Sequence, residues 1–525
     1  MGRLRSKAKE ISLKMVLYTL IFTFLCVINQ RIQTTSVLDG WRESFQNMVG
    51  FAVAALILLA YKKEDFQKCR IYHLLWCVLG TVACVLVFLL KRDEMLHMNY
   101  LLVIVTEIFI WGFVVIQTIY SVVGQKKMPR LHKGMFAIWA LMMLFMIFSR
   151  SDETWPLWYG VFFLCYYFTD FTQQDRENIF QGMLNGLILA FFVFQAHCFL
   201  YRPYDDVRYR GWFSNPNNNV LFYCFVLMAV LVKLYLCYKN KANKWWCAYY
   251  WLGVGTVLSF IVLTIGRMGW ILAFVLVVSF LLFQKKDFSK PFLKYGCVTV
   301  LVTIIAFPLC FAAIRYLPPI RHHVVWFYGE YGVDKVHSMD PWDSEKFIDI
   351  DEFAEAAVGR IAKSIGDLLN NMPWVMKAEA AGLENPYEPK LSEELKEDGY
   401  AVRSTIYKTF FKSLNLRGYP SSEIGFQLTS DFWVYHAHNI FLQYGIQFGI
   451  PVLVLFTVLI FFALKKSLQG FWATQSPEKL CCFYLVLVPA LFGMLEYTWG
   501  VGQMAIVLLF MAWRSIIMKE EKNMY

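Results

Sequence analysis

His-Ala-His-Asn-Ile-Phe-Leu-Gln-Tyr-Gly-Ile-Gln-Phe-Gly-Ile-Pro, residues 436–451, joins a long polar segment to a new apolar run. Ionisable and amide side chains at the mouth of an apolar helix are expensive to desolvate. They therefore point to a site at a membrane–water boundary. Asn439 and Gln443 stand four apart and share one helix face. Gly445 and Gly449 repeat that spacing one turn deeper, as a small-xxx-small seam for close helix contact does. A polar helix cap above an ordinary packing seam is the plainer alternative.

Working outward, the class follows from composition. Apolar residues make up 58% of the 525 and charged residues 17%, against roughly 45–50% and 25% in soluble domains. Apolar runs of about 20 residues, each long enough to cross a bilayer, recur along most of the chain. The expectation is an all-α, polytopic membrane bundle. The net charge of +11 requires no nucleic-acid partner, because the basic residues fall mostly in short loops on one side. The thirteen cysteines show no metal spacing and no Cys-x-x-Cys, so neither a disulfide framework nor a structural metal is expected. The basic N-terminus precedes an apolar run without a small-residue cleavage signature and reads as a retained first helix.

About fourteen spans are expected, near 13–29, 44–61, 71–90, 98–122, 133–149, 155–169, 179–200, 217–238, 246–265, 268–284, 293–313, 438–464, 480–499 and 501–517. Alternate loops carry Lys62, Lys63 and Lys68, then Lys126 and Lys127, then Lys239, Lys241 and Lys244, then Lys285 and Lys286, then Lys465, Lys466 and Lys479. By the positive-inside rule that side is cytoplasmic, and both termini lie there. The chain then divides into N-terminal helices (1–200), helices bearing external arginine motifs (201–313), a large extracytoplasmic segment (314–437) and C-terminal helices (438–525). The large segment is too long for a plain connector. Asp349 to Glu352 reads as a capping box opening a helix to about Asn370. A second helix starts near Arg403, with Ile406, Phe410, Phe411 and Leu414 on one side. A small, mainly helical cap on the membrane helices results.

The external face gathers Arg202, Arg208, Arg210, Arg267, Arg403 and Arg417 with His436 and His438. Guanidinium forks bind phosphate oxygens through two parallel hydrogen bonds, which an ammonium does not. Arginines on the side that the positive-inside rule disfavours are thus informative. The bland reading is that they pin helix ends or pair with Asp205, Asp206 and Glu423.

Three motifs carry a family resemblance. Arg-Gly-Trp-Phe-Ser-Asn-Pro-Asn (210–217), Gly-Arg-Met-Gly-Trp (266–270) and His-Ala-His-Asn followed by Gly449 resemble the O-antigen ligase and polymerase superfamily, over roughly 200–465. That resemblance implies a metal-independent, cofactor-free glycosyltransferase of the bacterial cytoplasmic membrane, working in cell-surface polysaccharide assembly. Its active site would face the extracytoplasmic side. The donor would be a glycan on undecaprenyl pyrophosphate, the acceptor a hydroxyl of a glycan, lipid or protein, and membrane lipids the surrounding partners. Arg210 and Arg267 match the arginines that hold the donor pyrophosphate, and His438 matches the histidine that activates the acceptor hydroxyl. Arg403 resembles the arginine opening a helix in the large loop. Asn217, Asn439 and His436 are expected to bind substrate beside them. The ligase pattern continues Gly-x-x-Gly, whereas Pro451 and Val452 follow Gly449 here, so ligase and repeat-unit polymerase both stay open.

Chemistry agrees with those roles. A polyprenyl pyrophosphate departs with spreading negative charge that guanidiniums stabilise, and a neutral histidine can take the proton of the incoming hydroxyl. Glu107 and Glu496, alone in apolar runs, support a different class, an exporter of lipid-linked glycans, because buried acids in membrane helices often mark ion pathways. A transporter would put its polar groups near the midplane of several helices and have little use for a large cap.

Overall fold

The computed structural model describes residues 12–28, 49–90, 98–201, 204–205, 208–209, 211, 213, 216–284, 291–320, 325–326, 336–337, 350–370, 399–430, 432–496 and 504–519. Over these the fold is all-α. Eighteen α-helices are found among the described residues, where strands occur only as short two-stranded pieces. Seven helices among the described residues are long and apolar enough to cross a membrane: Arg70–Leu90, Val105–Gly124, Gln173–Ala196, Pro216–Lys239, Lys244–Leu263, Phe292–Ile314 and Ile450–Thr474. Leu13–Val27, Val49–Leu58, Lys133–Ile147, Arg267–Phe283 and Met504–Ile517 are shorter and apolar. These helices are consistent with an integral membrane protein.

Two expected spans are drawn differently. The span expected at 438–464 is two helices, Ile440–Phe448 and Ile450–Thr474. Gly449 between them has φ 99°, a conformation that disfavours any side chain, and Pro451 in the next first turn has no N–H to contribute. The span expected at 480–499 ends early, as the helix Pro477–Gly493 followed by a turn. Glu496 therefore stands three residues past a helix end and not inside a helix.

The chain forms two compact units. The first comprises 1–130, 162–197 and 326–336. In it Gly182 and Gly186 bring the backbone of Gln173–Tyr201 against Leu13–Ile28. A Cβ on either glycine would sit 2.5 Å from the Cβ of Tyr18 or Phe22, the close approach that small-xxx-small spacing allows. Lys14 and Asp175 pair at 2.9 Å at one end of that contact. Trp76 fills the space left by Gly112 and donates Nε1–H to the Phe109 carbonyl at 2.8 Å, joining Arg70–Leu90 to Met98–Ile119.

The second unit comprises 131–161, 198–325 and 337–525. Its axis is Pro216–Lys239, 94% of whose apolar window is buried, packed among Lys244–Leu263, Arg267–Gln284 and Pro477–Gly493. A helix apolar all round is stable only when enclosed in this way. At one end of this bundle lysines close helix ends. Lys239 Nζ donates to the Gln475 carbonyl at 2.7 Å and Lys466 Nζ to that of Met518 at 3.4 Å. At the other end lie the paired strands Tyr204–Asp205 and Arg208–Tyr209, the Thr264–Arg267 turn, the helix Gly399–Lys412, His438 and Glu496.

Candidate functional site

Three pieces of chain build a platform at that second end. The helix Gly399–Lys412, the paired strands Phe426–Thr429 and Phe432–Val434 and the helix Ile440–Phe448 share a core of Ile406, Phe410, Phe426, Leu428, Val434, Leu442 and Ile446. Phe411, expected on the same side, is 68% exposed; one residue beyond Phe410, it is turned about 100° away around the helix. The loop after Lys412 then lies across the end of Ile440–Phe448. Ile450 donates its N–H to the Asn415 carbonyl at 2.8 Å, and Tyr419 donates to that of Ile446 at 3.0 Å. The approach is backbone on backbone. A Cβ on Gly418 would meet the Gln447 carbonyl at 2.2 Å, and one on Gly449 the Leu416 carbonyl at 2.3 Å. The Gly445/Gly449 seam thus receives this loop, with Leu414 over Gly445.

A turn at 149–153 holds the loop from the other side. Arg150 donates its backbone N–H to the Arg417 carbonyl at 2.8 Å and pairs with Glu423 at 3.3 Å. Asp152 Oδ1 accepts both the N–H and the hydroxyl of Ser421, at 2.8 and 2.7 Å. Gln447 Nε2 donates to Glu153 at 3.1 Å.

The centre of the platform is the Glu496 carboxylate. Oε1 accepts from Arg403 Nη2 and from Asn217 Nδ2, each at 3.1 Å, and Oε2 lies 3.5 Å from His438 Nδ1. Asn217 Oδ1 accepts from Arg208 Nη2 at 2.9 Å, and Arg208 Nε donates to the Thr264 carbonyl at 3.1 Å. Tyr407 donates toward the carbonyls of His438 and Met494. Burial pushes its phenol pKa up, against the pull of Arg403 and with the repulsion of Glu496, which keeps the hydroxyl a donor. The Glu496 side chain is 11% exposed, while those of His438 and Arg403 are 33% and 43% exposed. The carboxylate is hidden and its two partners are reachable.

His438 itself adopts φ 48°, left-handed backbone for a residue with a side chain. Such backbone costs about 1–2 kcal/mol and persists where surrounding contacts over-determine it. Here Ala437 donates its N–H to Gln443 Oε1 at 2.8 Å on one side, and Asn439 caps the helix on the other, accepting from Leu442 N–H at 3.0 Å. Asn439 also donates Nδ2–H to the Met494 carbonyl at 2.9 Å, tying the helix start to the turn that carries Glu496. The His436 and His438 rings stand edge to face, 4.1 Å apart.

Of the residues singled out from sequence, His438, Arg403, Asn217, Asn439 and His436 are brought together. Asn217 is the second residue of its helix, and its carboxamide bridges Arg208 and Glu496. Arg267 is half-buried and opens the helix Arg267–Gln284 at the same end of the bundle, three residues beyond Thr264. Arg210 lies outside the described residues, as do Arg202 and Asp349. Sequence reasoning missed the organising role of Glu496 and the part of Tyr407, and it gave Arg208 no individual role among the external arginines. The signal available for Glu496 was a lone acid at the end of an apolar run beside aromatic residues. Comparison with known proteins adds no assignment: no family model matches the chain, and no curated protein and no solved structure matches it.

Proposed function

We propose that this protein is a glycosyltransferase of the O-antigen ligase type. It would move a glycan from undecaprenyl pyrophosphate to an acceptor hydroxyl on the outer side of the bacterial cytoplasmic membrane. The observation that carries the reading is a reachable histidine on strained backbone, set against a hidden carboxylate and flanked by arginines. This group sits at the end of the bundle opposite the lysine-closed one. With the basic loops cytoplasmic, the cluster lies at the outer membrane surface, where a donor whose lipid tail stays in the bilayer presents its pyrophosphate.

In this reading Glu496 accepts the Nδ1–H of His438 and leaves Nε2 as the base. The acceptor oxygen forms a bond to the anomeric carbon while the bond from that carbon to the pyrophosphate oxygen breaks and its electron pair leaves with the phosphate. Nε2 takes the hydroxyl proton. Arginine is the cation suited to the departing diphosphate, because its fork matches two oxygens at once. Arg267 serves that role, and Arg210 does by resemblance. Arg403 uses Nη2 on Glu496 and keeps the rest of its guanidinium clear of other hydrogen bonds among the described residues. A repeat-unit polymerase is the second reading, favoured by Pro451 and Val452 after Gly449 in place of a second glycine.

The test is transfer by purified protein given a lipid-linked oligosaccharide, with polyprenyl pyrophosphate release measured and products resolved by size. One discrete product marks a ligase and a ladder marks a polymerase. His438→Ala is expected to bind donor and lose transfer by about 100-fold or more. Arg267→Lys, with charge kept and fork lost, is expected to weaken donor binding by about 2 kcal/mol. His436→Ala is expected to be milder. Near-normal turnover in His438→Ala would remove the histidine from the mechanism.

A further inference from the structure

The helix Ile350–Asn370 takes no part in the cluster around Glu496, and its sequence is sharply two-sided. Ile350, Phe353, Ala357 and Ile361 recur at three- and four-residue spacing, with Val358 beside them. The same spacing continues to Ile365 and Leu368. Asp351, Glu352 and Glu355 occupy the rest of the circumference. Among the described side chains of that apolar face, Phe353 alone is fully covered. It is 6% exposed, with its ring 5.6 Å from that of Phe307 and 6.1 Å from that of Phe311, both on the helix Pro291–Ile320. Ile350, Val358 and Ile361 are 45%, 64% and 45% exposed. An apolar stripe of this length marks an interaction surface when it is not packed inward.

The depth at which Phe353 is held identifies what covers the stripe. The apolar window Phe292–Ile314 is only 22% buried, with Val300, Leu301, Ile304, Ile305 and Leu309 all exposed. In a membrane protein such a face looks onto lipid, and the run ends where Arg315 follows Ile314. Phe311 and Phe307 stand three and seven residues before that end, so about 5 and 10 Å below it along the helix. Interfacial helices bury their apolar face to a depth of about 5–10 Å. We propose that Ile350–Asn370 lies along the boundary between headgroups and acyl chains, its apolar stripe in lipid and continuous with the lipid-facing side of Pro291–Ile320. Its polar face carries more acid than base, with Asp351, Glu352 and Glu355 against Arg360 among the described side chains. Attachment therefore rests on apolar burial and not on attraction to anionic lipid.

The experiment uses the full chain with its cysteines intact, in nanodiscs of phosphatidylethanolamine with and without phosphatidylglycerol. A ketone-bearing amino acid is introduced singly at positions 352, 355, 358 and 361 and coupled to a nitroxide. Collision with oxygen, which concentrates in lipid, is compared with collision with a water-soluble nickel chelate. The expected result is a several-fold preference for oxygen at 358 and 361, the reverse at 352 and 355, and no change when phosphatidylglycerol is added. Nickel access at 358 and 361 equal to that at 355 would place the stripe in water and overturn the proposal. Exclusion of both reagents at 358 and 361 would mean that protein, a second copy included, covers the stripe, and would overturn it equally.

Discussion

Glu107 and Glu496 stand in the sequence as twins, each a single acid in an otherwise apolar stretch, and the two units treat them in opposite ways. In the first unit Glu107 rests over Gly50, where a Cβ would lie 1.6 Å from Oε1 and 2.8 Å from the Phe162 ring. Trp111 stacks on that ring at 4.1 Å. Among the described residues Glu107 has neither hydrogen bond nor ion pair. In the second unit Glu496 gathers Arg403, Asn217 and His438. A carboxylate taken out of water is costly alone and tolerable when donors and counter-charge surround it. Glu107 therefore has the setting of an acid that a neutral side chain of the same shape replaces. Glu496 has that of a group whose neighbours depend on its charge.

The largest effect expected from this contrast follows removal of a Glu496 partner. Arg403→Ala leaves the hidden carboxylate with less counter-charge and frees the geometry of His438. Truncating one member of a buried, hydrogen-bonded charge pair costs roughly 2–5 kcal/mol, and the half-exposed Arg403 belongs at the low end. Transfer efficiency should fall by about that much, read as kcat/KM, with detergent-stable chromatography confirming the fold. Equal behaviour of Arg403→Ala and Glu107→Gln in that assay would erase the distinction between the two acids.

The next effect is steric and lies in the first unit. Gly50→Ala drives a methyl into Glu107 and should lower stability by about 1–3 kcal/mol, the usual range for overpacking. Adding Glu107→Ala should recover part of the loss in a thermal melt, the Phe162 contact accounting for the rest. Glu107→Gln alone should change stability by under about 1 kcal/mol and leave transfer intact. A large loss of transfer in Glu107→Gln would instead make Glu107 a working group.

The helical class was legible because apolar runs need no tertiary knowledge, and among the described residues each expected run contains a helix, broken at Gly449 in one and ended at Gly493 in another. His438 was picked out as an ionisable group at the mouth of an apolar helix, Arg403 as an arginine on the expected outer side and Asn217 by resemblance, and the fold brings the three together around Glu496. Glu496 was misjudged for a physical reason. Periodicity carries Pro477–Gly493 smoothly onward, and only the tertiary partners of residue 496 show that it lies past the helix. The break at Gly449 was obscured in the same way, since the chain stays apolar through a change of backbone direction. Gly418 and Gly449 show why the platform could not be foreseen. Their need is for each other's neighbouring backbone, and nothing local to either announces it.

The smallest effect sharpens the same contrast within a single dipeptide. Asp152 and Glu153 adjoin, yet hydrogen bonds dominate one and burial the other. The N–H and hydroxyl of Ser421 hold the Asp152 carboxyl below its ordinary value. Burial raises that of Glu153, with repulsion from Asp152 added and the Gln447 hydrogen bond opposing. The two therefore bear on stability with opposite signs. The contribution of Asp152 is present above its unfolded value near 3.9 and is lost as pH falls through the lower folded one. That of Glu153 is present below its unfolded value near 4.3 and is lost as pH rises through the higher folded one. Glu153→Gln, which keeps an acceptor for Gln447 without the charge, should be more stable than the parent at neutral pH by about 0.5 kcal/mol, a gain that vanishes toward about pH 4. Asp152→Asn should be less stable at neutral pH, with the deficit shrinking as acid is added. Melting temperatures of the three proteins across that pH range measure both slopes, and a pH-independent offset in either variant would show that its carboxylate does not titrate against the 415–423 loop.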